Sequence, residues 1–237
     1  MILFYNIFLK IYFGVIKLAG TWNPKARRWA NGRKNWQRQL QQQFQPHKNK
    51  QTVWMHCASL GEFEQGRPIL QKIKTQFPDC NIVVTFFSPS GYEIRKNYTG
   101  ADVVMYLPED SQKNAAAFLN IVQPTLAIFV KYEFWHYYLS ELNKQKIETI
   151  LVSGIFRNSQ PFFKWWGGFH KNMLLNFSRL FVQNQSSASL LASINIQKNV
   201  TVCGDTRFDR VLETAEQWQP IAAIESFIQP HKKILVA

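Results

Sequence analysis

Residues 53–70 read VWMHCASLGEFEQGRPIL. An apolar run from Val53 to Ala58 gives way at Ser59-Leu60-Gly61-Glu62 to an amphipathic pattern, so Glu62 falls where a strand hands over to a helix. It is the first acidic residue in the chain. Two roles are open to it. Ser59-x-x-Glu62 spells a capping box, in which Ser59 would cap the third helical amide and Glu62 would reach back to the Ser59 amide. The helix dipole would then lower the pKa of Glu62 and keep it ionised. An ionised carboxylate at the rim of a cleft can also take a proton from a substrate hydroxyl. Gly61 would let that substrate approach the backbone closely.

Other residues carry paired readings. Glu133, in FVKYEFW, is either a charge at a helix N-terminus or a second rim carboxylate, and Lys131 is placed to pair with it. Arg157, in GIFRNSQ, is a loop cation that either binds an anion or is solvated. In CGDTRFDR, Asp205 suits a helix cap and Arg207 a phosphate contact. Phe162-Phe163 and Trp165-Trp166 form an aromatic cluster that belongs either to the core or to an acyl-chain contact. The five histidines have no i, i+4 pair and no acidic neighbour suited to a metal. Cys57, Cys80 and Cys203 make neither a metal spacing nor a disulfide framework, which points to a reducing compartment. No structural metal is expected. Neither G-x-G-x-x-G nor G-x-x-x-x-G-K-[ST] occurs, so dinucleotide and P-loop functions are unsupported.

These residues need elements to hold them. Short β-branched, apolar runs at 53–58, 82–87, 103–106, 126–131, 147–153, 180–183 and 200–203 read as strands covered on both faces. Amphipathic segments at 62–76, 89–97, 111–121, 133–145, 165–178 and 186–193 read as the helices between them. The β-α alternation argues an α/β domain with a doubly wound parallel sheet. Ligands of such sheets bind beyond the carboxyl ends of the strands, which puts 59–62, 131–135, 153–157 and 204–209 on one rim. Gln-rich 37–45 reads as a polar linker. Residues 212–229 read as a helix broken by Pro230, and HKKILVA as the start of a further strand.

The charge is segregated. Residues 1–61 carry ten Lys and Arg and no Asp or Glu, against a net charge of +13 for the whole chain. Such an end favours an anionic partner, nucleic acid or a membrane surface. MILFYNIFLKIYFGVIKLAG, residues 1–20, favours the membrane; the alternative is a buried first helix followed by a solvated basic linker. Asn6, Lys10 and Lys17 share one helical face and the rest is apolar, as in a helix lying in the bilayer interface. Lys10 near the middle makes spanning costly. Trp22, Trp29 and Trp36 among the cations of 25–38 suit the headgroup layer.

Six segments in order then resemble the 3-deoxy-D-manno-octulosonic acid (Kdo) transferase family. They are the apolar and basic opening at 1–38, His56-Cys57-Ala58-Ser59-Leu60-Gly61-Glu62, Thr85–Gly91, Tyr106-Leu107-Pro108-Glu109-Asp110, Lys131–His136 and Gly204–Asp209. The resemblance implies the Rossmann-like N-terminal half of a two-domain GT-B glycosyltransferase, inverting and metal-independent. It implies a membrane-associated segment at 1–38, an acceptor-binding domain at 39–229, and at 230–237 the start of a donor-binding domain. The reaction implied is transfer of Kdo from CMP-Kdo to a lipid A precursor, at the cytoplasmic face of the inner membrane and with no cofactor. Glu62 matches the family's catalytic base, and Ser59, Gly61, Lys131, Glu133, Arg157 and Arg207 are the substrate-binding candidates. The alternatives are another nucleotide-sugar glycosyltransferase of this architecture and a non-catalytic membrane lipid-binding module. This chain departs from the family pattern at Lys131, where the family has an acid, at His136, where it has Pro, and at Ser153-Gly154-Ile155, where it has Asn-Ala-Arg.

Overall fold

The computed structural model describes residues 1–44, 50–216, 219–220 and 224–225. Strands β1 (Thr52–Cys57), β2 (Asn81–Phe86), β3 (Val103–Tyr106), β4 (Leu126–Val130), β5 (Glu148–Gly154), β6 (Arg179–Val182) and β7 (Val200–Val202) form one sheet. Its order is β3-β2-β1-β4-β5-β6-β7 and every pairing is parallel. All seven strands expected from the sequence are present, each within one residue at either end. The chain runs outward from β1 to β3, then returns to place β4 on the other side of β1. The crevice of such a sheet opens at that reversal, between the carboxyl ends of β1 and β4.

Among the described residues ten α-helices pack around the sheet: α1 (Ile2–Ala19), α2 (Pro24–Asn31), α3 (Trp36–Gln43), α4 (Leu60–Gln76), α5 (Pro89–Arg95), α6 (Gln112–Val122), α7 (His136–Lys144), α8 (Gly168–Leu174), α9 (Gln185–Ser193) and α10 (Arg207–Glu216). Side-chain alternation along β1 sends Trp54 into one core, with Phe118, Phe129 and Tyr138. Met55 and Cys57 go into the other, with Phe63, Leu70 and Val84. Helix α4 lies very close to β1. A Cβ on Gly66 would fall 2.5 Å from the Met55 sulfur. Glycine at that position therefore lets the helix down onto the strand, and Glu62 one turn earlier sits over the strand end.

Several helices differ from their sequence patterns, each for a local reason. The helix expected at 133–145 begins at His136. Lys131 adopts a left-handed backbone, φ 63°, which turns residues 131–135 away from helical geometry. Asp110 then supplies the cap, accepting the Tyr137 and Tyr138 amides at 3.2 Å each. The helix expected at 165–178 is only Gly168–Leu174, preceded by a 3₁₀ turn at Pro161–Phe163. The linker expected at 37–45 is helical over Trp36–Gln43. The C-terminal helix expected at 212–229 is described over Arg207–Glu216, whereas Pro230 and the strand expected at 231–237 lie outside the described residues.

The basic segment is likewise not all solvated. Trp29 and Arg33 are buried. The Arg33 guanidinium donates to Leu107 O at 2.8 Å, Trp29 O at 3.0 Å and Phe87 O at 2.7 Å. It also lies 3.8 Å above the Trp29 ring. Burial pulls its pKa down to about 9, so it stays protonated at neutral pH. This side chain clamps α2 onto the loops that follow β2 and β3. Helix α1 docks beside it through buried Leu9 and Phe13, and the Tyr5 hydroxyl donates to Asp110 Oδ2 at 2.6 Å.

Candidate active site

Glu62 stands third in α4, directly after the buried end of β1. Its carboxylate makes a short hydrogen bond from the Ala58 amide, and the Ser59 amide also lowers its pKa. The Ser59 hydroxyl makes no capping bond, and the carboxylate reaches back to the Ala58 amide, one residue beyond the Ser59 amide of the expected capping box. The expectation of a lowered pKa is overturned: Glu62 is raised to about 7. Desolvation is the main cause and the nearby charge of Glu133 adds to it. Together they outweigh the Ala58 and Ser59 amides and Lys131, which pull the other way. A carboxyl poised near neutrality over a strand end can pick up and release a proton at working pH.

Glu133 reaches the same place from β4. It is buried, and its Oε2 accepts from His56 Nε2 at 2.8 Å and from Trp135 Nε1 at 2.8 Å. The chain of bonds continues inward. His56 Nδ1 lies 2.9 Å from Thr85 Oγ1, and Thr85 Oγ1 accepts from Trp54 Nε1 at 2.8 Å. One consistent proton arrangement has Trp54 donate to Thr85, Thr85 to His56, and His56 to Glu133. The line crosses β2 and β1 and fixes the Glu133 carboxylate through the fold's own core. His56 is therefore not isolated, as its sequence surroundings imply, but partnered by an acid 77 residues away. The sequence signal available for it was its place at the head of His-x-x-Ser-x-Gly-Glu.

Lys131 does not pair with Glu133, whose Oε2 is taken by His56 and Trp135. Among the described residues Lys131 makes no ion pair; its charge acts on both Glu62 and Asp205. That places a cation between the β1 and β7 sides of the rim. Asp205 caps α10, accepting the Arg207 amide at 3.0 Å and Arg207 Nε at 2.8 Å. Arg207 is exposed. Gly61 faces open space, since a Cβ there would meet nothing within 4 Å. Arg157 is exposed on the loop after β5, where its amide donates to Gln160 Oε1 at 2.9 Å, and no contact joins it to the other candidates. The structure thus brings together Ser59, Gly61, Glu62, Lys131 and Glu133, adds Asp205 with Arg207 beside them, and leaves Arg157 apart. Among the described residues no group of three His, Cys, Asp or Glu is placed to hold a metal ion.

Solved structures share this architecture. The UDP-GlcNAc 2-epimerase of Neisseria meningitidis superposes with a TM-score of 0.54 at 14% identity, over 70% of this chain and 50% of that one. A putative UDP-N-acetylglucosamine 2-epimerase from Listeria monocytogenes gives 0.55 at 12% identity, over 75% and 51%. At that identity the likeness shows the fold alone. Among curated proteins, a bifunctional glycosyltransferase/methyltransferase of Fusobacterium nucleatum is 27% identical over 74% of this chain and 28% of its own length. The 3-deoxy-D-manno-octulosonic acid transferase of Aquifex aeolicus is 28% identical over 67% of this chain and 41% of its own length. That of Rickettsia felis is 28% identical over 66% and 34%. The chain spans about a third of the length of the curated relatives it matches. A family model matches residues 34–210, the stretch that holds the sheet from β1 to β7 and every residue of the rim. The chain belongs to the 3-deoxy-D-manno-octulosonic-acid transferase (kdotransferase) family.

Proposed function

We propose that this chain is the acceptor-binding half of an enzyme that transfers Kdo from CMP-Kdo to a lipid A precursor. The observation that carries the reading is Glu62, a carboxyl held at the reversal point of the sheet with a pKa of about 7. In this reading Glu62 takes the proton of a glucosamine hydroxyl. The freed oxygen attacks the anomeric carbon of Kdo from the face opposite CMP, and CMP leaves with the bonding electron pair, so the centre inverts. No metal or cofactor enters these steps. Gly61 leaves the approach to Glu62 open. Lys131 and Arg207 offer charge to anionic groups on the substrates, and Glu133 positions and tunes Glu62 from behind. Arg157, on the loop after β5, serves a more distant part of the acceptor. The donor is held by a second domain, so the 237 residues alone do not turn over CMP-Kdo.

The acceptor is amphiphilic, and α1 suits it. Its outer face exposes Leu3, Phe4, Ile7, Phe8, Ile11 and Val15. A groove of about 540 Å³ between α1 and the turn at 109–112 is lined by Leu3, Ile7 and Lys10, and by Lys17, which pairs with Glu109 at 2.6 Å. Apolar surface beside Lys10, which makes no ion pair among the described residues, fits a phosphorylated lipid at the cytoplasmic surface of the inner membrane.

The test is Kdo transfer from CMP-Kdo to a lipid A precursor by the complete enzyme carrying this domain, with Glu62 and with Glu62→Gln. A fall of about 10²-fold or more, with acceptor binding intact, is expected for a lost general base. An unchanged rate makes Glu62 a helix cap only. Absence of transfer by both forms removes the Kdo assignment.

A further inference from the structure

The acid-free N-terminal segment has a counterpart. Residues 149–204 also contain no Asp or Glu, and they carry Arg157, Lys164, Lys171, Arg179 and Lys198. Within them the loop after β5 closes into a tight tip. The Lys164 amide donates to Pro161 O at 3.1 Å and the Gly167 amide to Lys164 O at 2.9 Å. A Cβ on Gly167 would fall 1.8 Å from the Pro161 carbonyl oxygen, so the closure requires glycine. Behind the tip Phe162 is buried; on it Trp165 is 95% exposed and Trp166 46%.

The tip adjoins the first turns of α1. The Phe169 ring lies 5.3 Å from the Tyr5 ring, and Trp166 lies 6.1 Å from His170 on the same short helix as Phe169. A single exposed apolar side chain is ordinary. Two adjacent tryptophans on a closed tip are different when the surrounding segment is purely cationic and the neighbouring helix turns apolar residues outward. Indoles favour the headgroup level of a bilayer, and juxtamembrane Lys and Arg are drawn to anionic leaflets.

We propose that the Trp165-Trp166 tip is a second membrane contact, taking an anionic phospholipid surface alongside α1. Two contacts fix the tilt of the domain on the bilayer, where a lone helix would leave it free to roll, and so hold the rim at a set angle to its lipid substrate. The inference rests on the membrane reading of α1, and the two can fail separately. The experiment uses the whole chain with Cys203→Ser; Cys57 and Cys80 are buried. A single cysteine is placed by Trp165→Cys or by Phe4→Cys and labelled with a polarity-sensitive fluorophore. Vesicles are phosphatidylcholine with or without phosphatidylglycerol.

Both labels should shift to the blue on the anionic vesicles. Unlabelled Trp165→Ala/Trp166→Ala should partition about tenfold more weakly. Lys164→Gln should partition about fivefold more weakly. A shift at Phe4 with none at Trp165 overturns the second contact and leaves α1 as the membrane element. No shift at either site overturns both. A Trp165 label already shifted without vesicles, in proportion to protein concentration, assigns the tip to contact between copies and also overturns the proposal.

Discussion

Glu62 and Glu133 approach one rim from neighbouring strands, and their chemistry diverges because their partners differ. Glu133 accepts two N–H donors on one oxygen, whereas Glu62 accepts the Ala58 amide and is exposed to the Glu133 charge. The raised Glu62 pKa has a stability consequence. Between the ordinary value of 4.5 and about 7 the folded carboxyl stays protonated while the unfolded one is ionised. The folded state therefore binds more protons, and stability falls as pH rises across that window. Glu133→Gln removes the like charge and should move the upper edge of the window down. Melting temperature against pH for the chain, with and without the substitution, checks this. In the complete enzyme the acid limb of the pH–rate profile should move to lower pH in parallel. A profile that does not move would show that burial alone sets the Glu62 pKa.

At the scale of elements, Arg33 does what the sequence gives least hint of. It reads as one more cation of a basic stretch, yet it is buried and bound to three carbonyls. Replacing it with Met keeps apolar bulk but strands those acceptors. The expected loss is about 3 kcal/mol, as for a buried charged donor with several partners. Urea unfolding of Arg33→Met checks it; a loss under about 0.5 kcal/mol would mean that the Trp29 and Tyr106 packing alone holds α2 in place. The strands were legible because a sheet covered on both faces needs continuous apolar runs, which from residue 50 onward alternate with amphipathic segments. The α2–α3 region was obscured by its composition, glutamine and cations. Its real signal is spacing: Trp29, Arg33, Trp36, Leu40 and Phe44 recur at helical intervals, and all are wholly or partly buried. The start of α7 was hidden for a different reason. Residues 133–145 have helical character, but the left-handed Lys131 and the Asp110 cap, distant in sequence, decide where the helix begins. In the same way, Ser-x-Gly-Glu marked Glu62 locally, while the Glu133–His56–Thr85 line depends on pairing between β1, β2 and β4 that no local spelling contains.

Over the whole molecule, charge and apolar surface are sorted together. All 15 acidic residues fall within 62–148 and 205–237, and the two acid-free stretches carry α1 and the Trp165-Trp166 tip, while α10 exposes Phe208, Val211 and Leu212 beside acidic residues. Helix α1 turns its tyrosine hydroxyl, Asn6 and Lys17 toward partners on the domain. Apart from Leu9 and Phe13, most of its apolar residues face out, the reverse of a helix that only covers a core. A surface of this kind binds bilayers by two separable terms. The cationic term weakens with salt, while the apolar term does not. Phe4→Glu/Phe8→Glu alters two exposed side chains, 70% and 61% accessible, and should leave the fold intact. It should lower partitioning onto anionic vesicles at least tenfold. What binding remains should fall steeply in about 1 M salt, where the screening length drops to about 3 Å, to the small fraction that Trp165 and Trp166 hold. The unaltered chain should keep a measurable salt-resistant fraction under the same conditions. Equal salt sensitivity of the two proteins would mean that charge alone holds the domain to the surface and that the outward face of α1 serves another partner.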